Sequence, residues 1–279
     1  MYTKLVIEPL KEFESSGLGR VRDISPDDLI KLKSFQTESN LFVSAVHHAI
    51  EIFATYQSIL QAISGGVQVN TVPVVNVLGF NYVNKKIEDL EKLAEKYGGR
   101  IYDDLLRQIF FCFNETPFRD IIYPQWTEWN YGREDYKKNV LAKEIEKIVE
   151  KSSFVIDIHN CSTSEYMIIT SPAKSSNALE LQQDIENIVQ NSILDNGNGL
   201  LRNSDIAGFR EIRNGIYELC SNEPTLIQFA KEIGIANICL ETPVYDKYGN
   251  FYPFNKDKSR ILSTNVELIS KVSEHINSK

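Results

Sequence analysis

Three short runs constrain this chain more than anything else in it: LFVSAV at 41–46, FVIDI at 154–158 and IANICL at 235–240. Each is almost wholly apolar and rich in β-branched residues, and none is long enough for a helix. A strand with one wet face alternates polar and apolar residues, whereas a strand covered on both faces reads as a continuous apolar run. Segments of helical period lie between the runs. Ile52, Tyr56, Ile59, Leu60 and Ile63 pattern a helix stopped by Gly65 and Gly66. Val140, Leu141, Ile145 and Ile148 form the apolar side of a charged helix over 137–151. Further helices are expected at 87–97, 101–113, 178–194, 226–233 and 263–276, and further strands at 67–75 and 166–170. Pro73 fits poorly inside the first of those strands, because proline cannot donate to a ladder. Strands alternating with helices, several of them apolar throughout, point to an α/β sheet buried on both faces.

The 279 residues suffice for a sizeable core without crosslinks. One domain over 1–279 is expected, with 1–38 as an N-terminal extension and 86–127 as an insertion. Residues 114–136, rich in Pro, Trp, Tyr and Asn, show no period and read as a long loop. A formal net charge of -8 argues against general nucleic-acid binding, which needs a basic footprint. No window approaches the length of an apolar membrane span. Lys4, Glu8, Lys11 and Glu12 interrupt the only apolar stretch near the start, so no secretory core is read there. The four cysteines (Cys112, Cys161, Cys220, Cys239) form no C-x-x-C pair. Reduced thiols in a cytoplasmic protein are therefore expected.

The chemistry-bearing residues gather where the apolar runs end. His47 and His48 follow the first run, and His48 stands three residues before Glu51. On a helix that spacing puts both on one face, within reach of one cation. His47 is the alternative partner at a spacing of four. His159 follows the second run and Glu241 the third. Ligands of open α/β sheets collect at the carboxyl ends of strands. Two histidines and a glutamate form a catalytic zinc set with a fourth position for water. Glu241, not needed as a ligand, then suits a general base. The plainer reading makes His48 and Glu51 ordinary first-turn residues near a helix dipole. Cys161 also admits a thiol-nucleophile reading, against that of a small buried hydrophobe.

These residues resemble the zinc carboxypeptidase superfamily, and within it the succinylglutamate desuccinylase/aspartoacylase branch. AVHHAIE (45–51) is similar to the branch's G-x-H-G-(N/D)-E, and VPVVNVLGF (72–80) to its P-x-x-N-P-x-G-F. VIDIHN (155–160) resembles the D-L-H strand, and GIANICLET (234–242) the strand carrying the catalytic glutamate. The four segments keep the family's order, and the resemblance covers the chain from about residue 40 to residue 279. The resemblance implies an α/β fold with a mixed, largely parallel central sheet flanked by helices. It implies zinc held by His48, Glu51 and His159, with Glu241 as general base and acid. Asp157, on the same strand face as His159, would orient a ligand. Asn130 matches within D-L-N-R, with Arg133 displaced by two positions. The carbonyl-polarising arginine falls at Lys85, or is supplied by Arg119. The aromatic residues of 114–136 would wall the pocket. The implied activity is hydrolysis of an amide in a small N-acyl amino acid or at a peptide C-terminus, with a carboxylate-bearing substrate and neither nucleic acid nor membrane as partner. The altered N-R region leaves a second reading, a binding protein that keeps the fold without turnover.

Overall fold

The computed structural model describes residues 37–47, 51, 54–75, 140–161, 163–204, 206, 208–220, 225–244, 247 and 258–279. Along the chain these form β1 (Leu41–Ala45), α1 (Tyr56–Ser64), β2 (Asn70–Val72), α2 (Val140–Val149), β3 (Phe154–Cys161) and β4 (Met167–Thr170). Then follow α3 (Ser176–Asp195), β5 (Phe209–Arg213), β6 (Ile216–Leu219), α4 (Leu226–Glu232), β7 (Ala236–Pro243) and α5 (Lys258–Asn277). The strands make one sheet in the order β2-β1-β3-β7-β4-β6-β5. The first four run parallel. β4 is antiparallel to β7 and parallel to β6, and β5 closes the edge as a hairpin with β6. The sheet is therefore mixed but largely parallel, with helices on both faces. The three apolar runs of the sequence are three adjacent parallel strands, β1, β3 and β7.

Alternation along these strands gives each face its own task. Leu41, Val43 and Ala45 of β1, Phe154, Ile156 and Ile158 of β3, and Ala236, Ile238 and Leu240 of β7 share one core. Ile59 of α1, Ile185 and Val189 of α3, and Leu268, Ile269 and Val272 of α5 complete it. On the other face Phe42 and Val155 pack against Ile145 and Ile148 of α2 and Leu226 and Phe229 of α4. Toward the carboxyl ends that second face turns polar: Ser44, Asp157, His159 and Glu241 take over from the apolar residues. Each large apolar side chain buried on the first face stabilises by about 1.5–3 kcal/mol. A one-residue slip of β3 would exchange its faces. The packing of Phe154, Ile156 and Ile158 therefore fixes where Asp157 and His159 point.

Several element limits differ from the sequence reading. β2 spans only Asn70–Val72 and ends against Pro73, as the missing donor requires. β3 continues through His159 to Cys161 instead of stopping at Ile158. Glu51 lies ahead of α1, outside any helix, so the helical spacing expected for Glu51 does not apply. α5 begins at Lys258, earlier than expected. The β5–β6 hairpin was not foreseen. Its two strands flank Asn214-Gly215, a strong hairpin signal, and Gly215 has φ 81°. The helices expected at 87–97 and 101–113, the 114–136 loop, the 86–127 insertion and nearly all of the 1–38 extension lie outside the described residues. No helix among the described residues is long and apolar enough to cross a membrane.

Candidate metal centre

The site begins where β1 ends. Val46 is fully buried and adopts φ 57°, a left-handed conformation in which a β-branched residue is strained by roughly 1–3 kcal/mol. This turn redirects the chain so that His47 lies over β3. There His47 Nε2 stands 2.9 Å from Asp157 Oδ1. The Ser44 hydroxyl donates to the same oxygen at 2.7 Å. The other carboxylate oxygen, Asp157 Oδ2, is 3.0 Å from His159 Nε2. On the far side of that ring, His159 Nδ1 is 2.7 Å from Glu51 Oε1. The His47 and His159 rings stack with centroids 5.3 Å apart. His47, Glu51, Asp157 and His159 are each 5% exposed or less, so these polar contacts replace water rather than supplement it.

Both ring nitrogens of His159 thus face carboxylates. Burial opposes a charged imidazolium, but Glu51, Cys239 and Asp157 together outweigh it and hold the His159 pKa well above its ordinary value. Burial likewise opposes charge on Asp157, and the two histidines overcome it, holding the carboxyl far below its usual range. Asp157 engages Nε2 of His159 and fixes the ring, which leaves Nδ1 directed at Glu51. In the register of β3 and β7, Glu241 stands opposite His159 and Cys239 opposite Asp157. The thiol of Cys239 is 3.9 Å from Glu241 Oε1. Among the described residues, two sets of ligand-capable atoms lie within 4.8 Å of one another, His47–Asp157–His159 and His159–Cys239–Glu241.

Imidazole nitrogens, carboxylates and a thiol form a donor set suited to a divalent cation of borderline softness. Three carboxylates, Glu51, Asp157 and Glu241, stand against two imidazoles, a balance of charge that a cation would complete. The residues present therefore fit a metal ion. Cys161 is a different case. Burial, reinforced by the nearby charge of Glu241, pushes its thiol up to about 12, and its Sγ lies 2.9 Å from Thr163 Oγ1. A thiol held protonated in this way is a poor nucleophile near neutrality.

Of the residues singled out from the sequence, His47, Glu51, Asp157 and His159 come together, and Glu241 stands opposite His159 on β7. His48, Lys85, Arg119, Asn130 and Arg133 lie outside the described residues. Ser44 and Cys239 were missed. Parity could have found both, since Ser44 sits opposite Asp157 in the β1–β3 register and Cys239 is two residues before Glu241.

No family model matches the sequence, and no curated protein matches it. Solved structures do match. A protein from Shewanella amazonensis, described as a candidate metallopeptidase, superposes with a TM-score of 0.53 at 12% identity, over 85% of this chain and 77% of that one. A metallo-carboxypeptidase from Burkholderia cenocepacia gives 0.50 at 10% identity, over 88% of this chain and 60% of the other. A succinylglutamate desuccinylase from Silicibacter sp. gives 0.49 at 10% identity, over 88% and 59%. The chain has the metallo-carboxypeptidase fold, the fold that its resemblance in sequence implies.

Proposed function

We propose that this chain is a zinc-dependent hydrolase that cleaves an amide bond in a small N-acyl amino acid or at the C-terminus of a peptide. One observation carries the reading. Glu51 and His159 meet at 2.7 Å where β1 and β3 end, and Glu241 stands beside them in register on β7. His159, Glu51 and His48 would hold the metal, with His47 the alternative histidine. When bound there, zinc would supply Lewis acidity toward a carbonyl and toward water. Glu241 accepts the proton of the attacking water and returns it to the departing amine. Asp157 keeps His159 in the orientation that turns Nδ1 toward Glu51. A cation, Arg119, Arg133 or Lys85, would stabilise the developing oxyanion. Asn130 and an arginine would bind the substrate carboxylate, for which a guanidinium fork is well shaped. A cytoplasmic setting suits the free thiols of Cys161, Cys220 and Cys239.

Metal analysis with two substitutions tests this. His159→Ala should lose bound zinc, and full occupancy in that variant would remove the ligand assignment. Glu241→Gln should retain zinc and lose roughly 10²- to 10⁴-fold in turnover. Undiminished turnover would take Glu241 out of the reaction. The displaced arginine after Asn130 favours a second reading, a metal-bearing binding protein without turnover. A hydrolysis screen over N-acyl amino acids and short peptides, with and without chelator, separates the two.

A further inference from the structure

Asn265 lies on α5, fully buried among Leu268, Ile269 and Val272, where an amide must find partners. Its Nδ2 donates to the carbonyl of Ala54 at 2.8 Å and to Thr242 Oγ1 at 3.3 Å. Its Oδ1 accepts from the Tyr166 hydroxyl at 3.0 Å. The orientation of the amide is dictated, because a backbone carbonyl can only accept. The two donor contacts reach two distant parts of the chain. Ala54 is three residues beyond Glu51, and Thr242 is the residue after Glu241.

The loop that Asn265 grips is strained. Ala54 has φ 57°, left-handed for a residue with a Cβ. Thr55 Oγ1 donates to the carbonyl of Glu51 at 2.5 Å, and Ser58 Oγ donates to that of Thr55 at 2.5 Å. Such a conformation persists only where its surroundings over-determine it. The contact from Asn265 ties the loop to α5 from behind, as the Glu51–His159 contact ties it to β3 in front. Thr55 and Ser58 hold it only to itself.

We propose that Asn265 is a positioning residue that brackets the metal centre from behind, fixing the Glu51 loop against the β7 strand that carries Glu241. The inference rests on the proposed function, with Glu51 as ligand. It acts through backbone and threonine contacts on the opposite face of the sheet from the chemistry. Loss of the bracket lets the strained loop relax and moves Glu51 relative to His159.

The test compares three variants of the full chain. Asn265→Leu removes both tethers while filling the space. Thr242→Val removes only the tether to β7. Tyr166→Phe removes a hydrogen bond to Asn265 and leaves both tethers. Zinc affinity is measured by competition with a chromogenic chelator, ligand geometry by the d–d absorption of the cobalt form, and fold integrity by the Tm of the metal-free protein. Asn265→Leu should weaken zinc about 10- to 100-fold, the usual range for groups that orient ligands. It should also shift the cobalt spectrum. Thr242→Val should fall between it and wild type. Tyr166→Phe should lower Tm and leave zinc affinity and the cobalt spectrum unchanged. Equal zinc affinity in all variants, with Tm alone lowered, would overturn the inference. If Asn265→Leu does not fold, Thr242→Val decides against Tyr166→Phe: weaker zinc in the former supports the bracket, equal zinc overturns it. Glu51→Gln separates the two levels. If it loses zinc while Asn265→Leu and Thr242→Val keep it, the bracket alone fails. If it binds zinc like wild type, the ligand set fails and the bracket with it.

Discussion

At the scale of single residues, Asp157 does most to define the centre. Its two oxygens divide their contacts, one to His47 and Ser44, the other to His159. Asp157→Asn keeps the shape and removes the charge, leaving one accepting oxygen where the carboxylate has two. Zinc binding should weaken about 10- to 100-fold in that variant, as read by chelator competition. The metal-free protein offers an independent check. The folded pKa of His159 lies above its unfolded value, so its stabilising contribution is complete below about 6.5 and is lost as pH rises through the folded value. Asp157 is depressed, so its contribution is present above 3.8 and disappears on acidification through the folded value. Tm of the metal-free wild type should therefore fall as pH is raised from about 6.5, and should fall less steeply in Asp157→Asn. A steeper fall in the variant would contradict the pairing. His159 and Glu241 were legible from the sequence because each directly follows an apolar run. The place of His47 was less so, since it depends on a left-handed Val46 that no local preference favours.

At the scale of elements, the sequence spoke most clearly where burial was two-sided. β1, β3 and β7 are covered by helices on both faces, and their composition shows it. Weaker elements were misjudged for identifiable reasons. The β5 strand sits at the sheet edge with Phe209 and Glu211 half-buried and both arginines exposed, so it lacks an apolar run. Its evidence lay in the turn instead. Gly215 adopts φ 81°, and a Cβ there would meet Leu200 Cβ and the Leu201 carbonyl oxygen, each at 3.1 Å. One of those atoms belongs to the backbone and cannot swing aside. Gly215→Ala should cost roughly 1–3 kcal/mol, seen as a lower Tm, with zinc affinity unaltered because β5 is three strands removed from β7. Asn265 left no mark in the sequence at all. An asparagine inside a helical pattern reads as a surface residue, and only the packing of α5 over β7 and the 54–55 loop reveals its partners.

At the scale of the molecule, the sheet divides its labour between faces, and this division can be measured at one dipeptide. Leu240 and Glu241 are neighbours on β7, yet Leu240 is wholly buried in the larger core while Glu241 faces His159 across the register. Leu240 packs with residues of α1, α3 and α5 that hold the sheet's first face closed. Leu240→Ala should therefore destabilise by about 2–5 kcal/mol, the span set by how far the cavity collapses. The folded fraction should still bind zinc with wild-type affinity and turn over at the wild-type rate per folded molecule, at temperatures well below the new midpoint. Glu241→Gln should behave oppositely, with Tm close to wild type and turnover lost. A double variant should show additive stability changes, because the two side chains point to opposite faces of the sheet. If Leu240→Ala abolished zinc binding in fully folded protein, the core face would be shaping the centre directly. Coupling between the faces would then exceed the side-chain link through Thr242 and Asn265, and the separation of fold from chemistry would fail at its most exposed point.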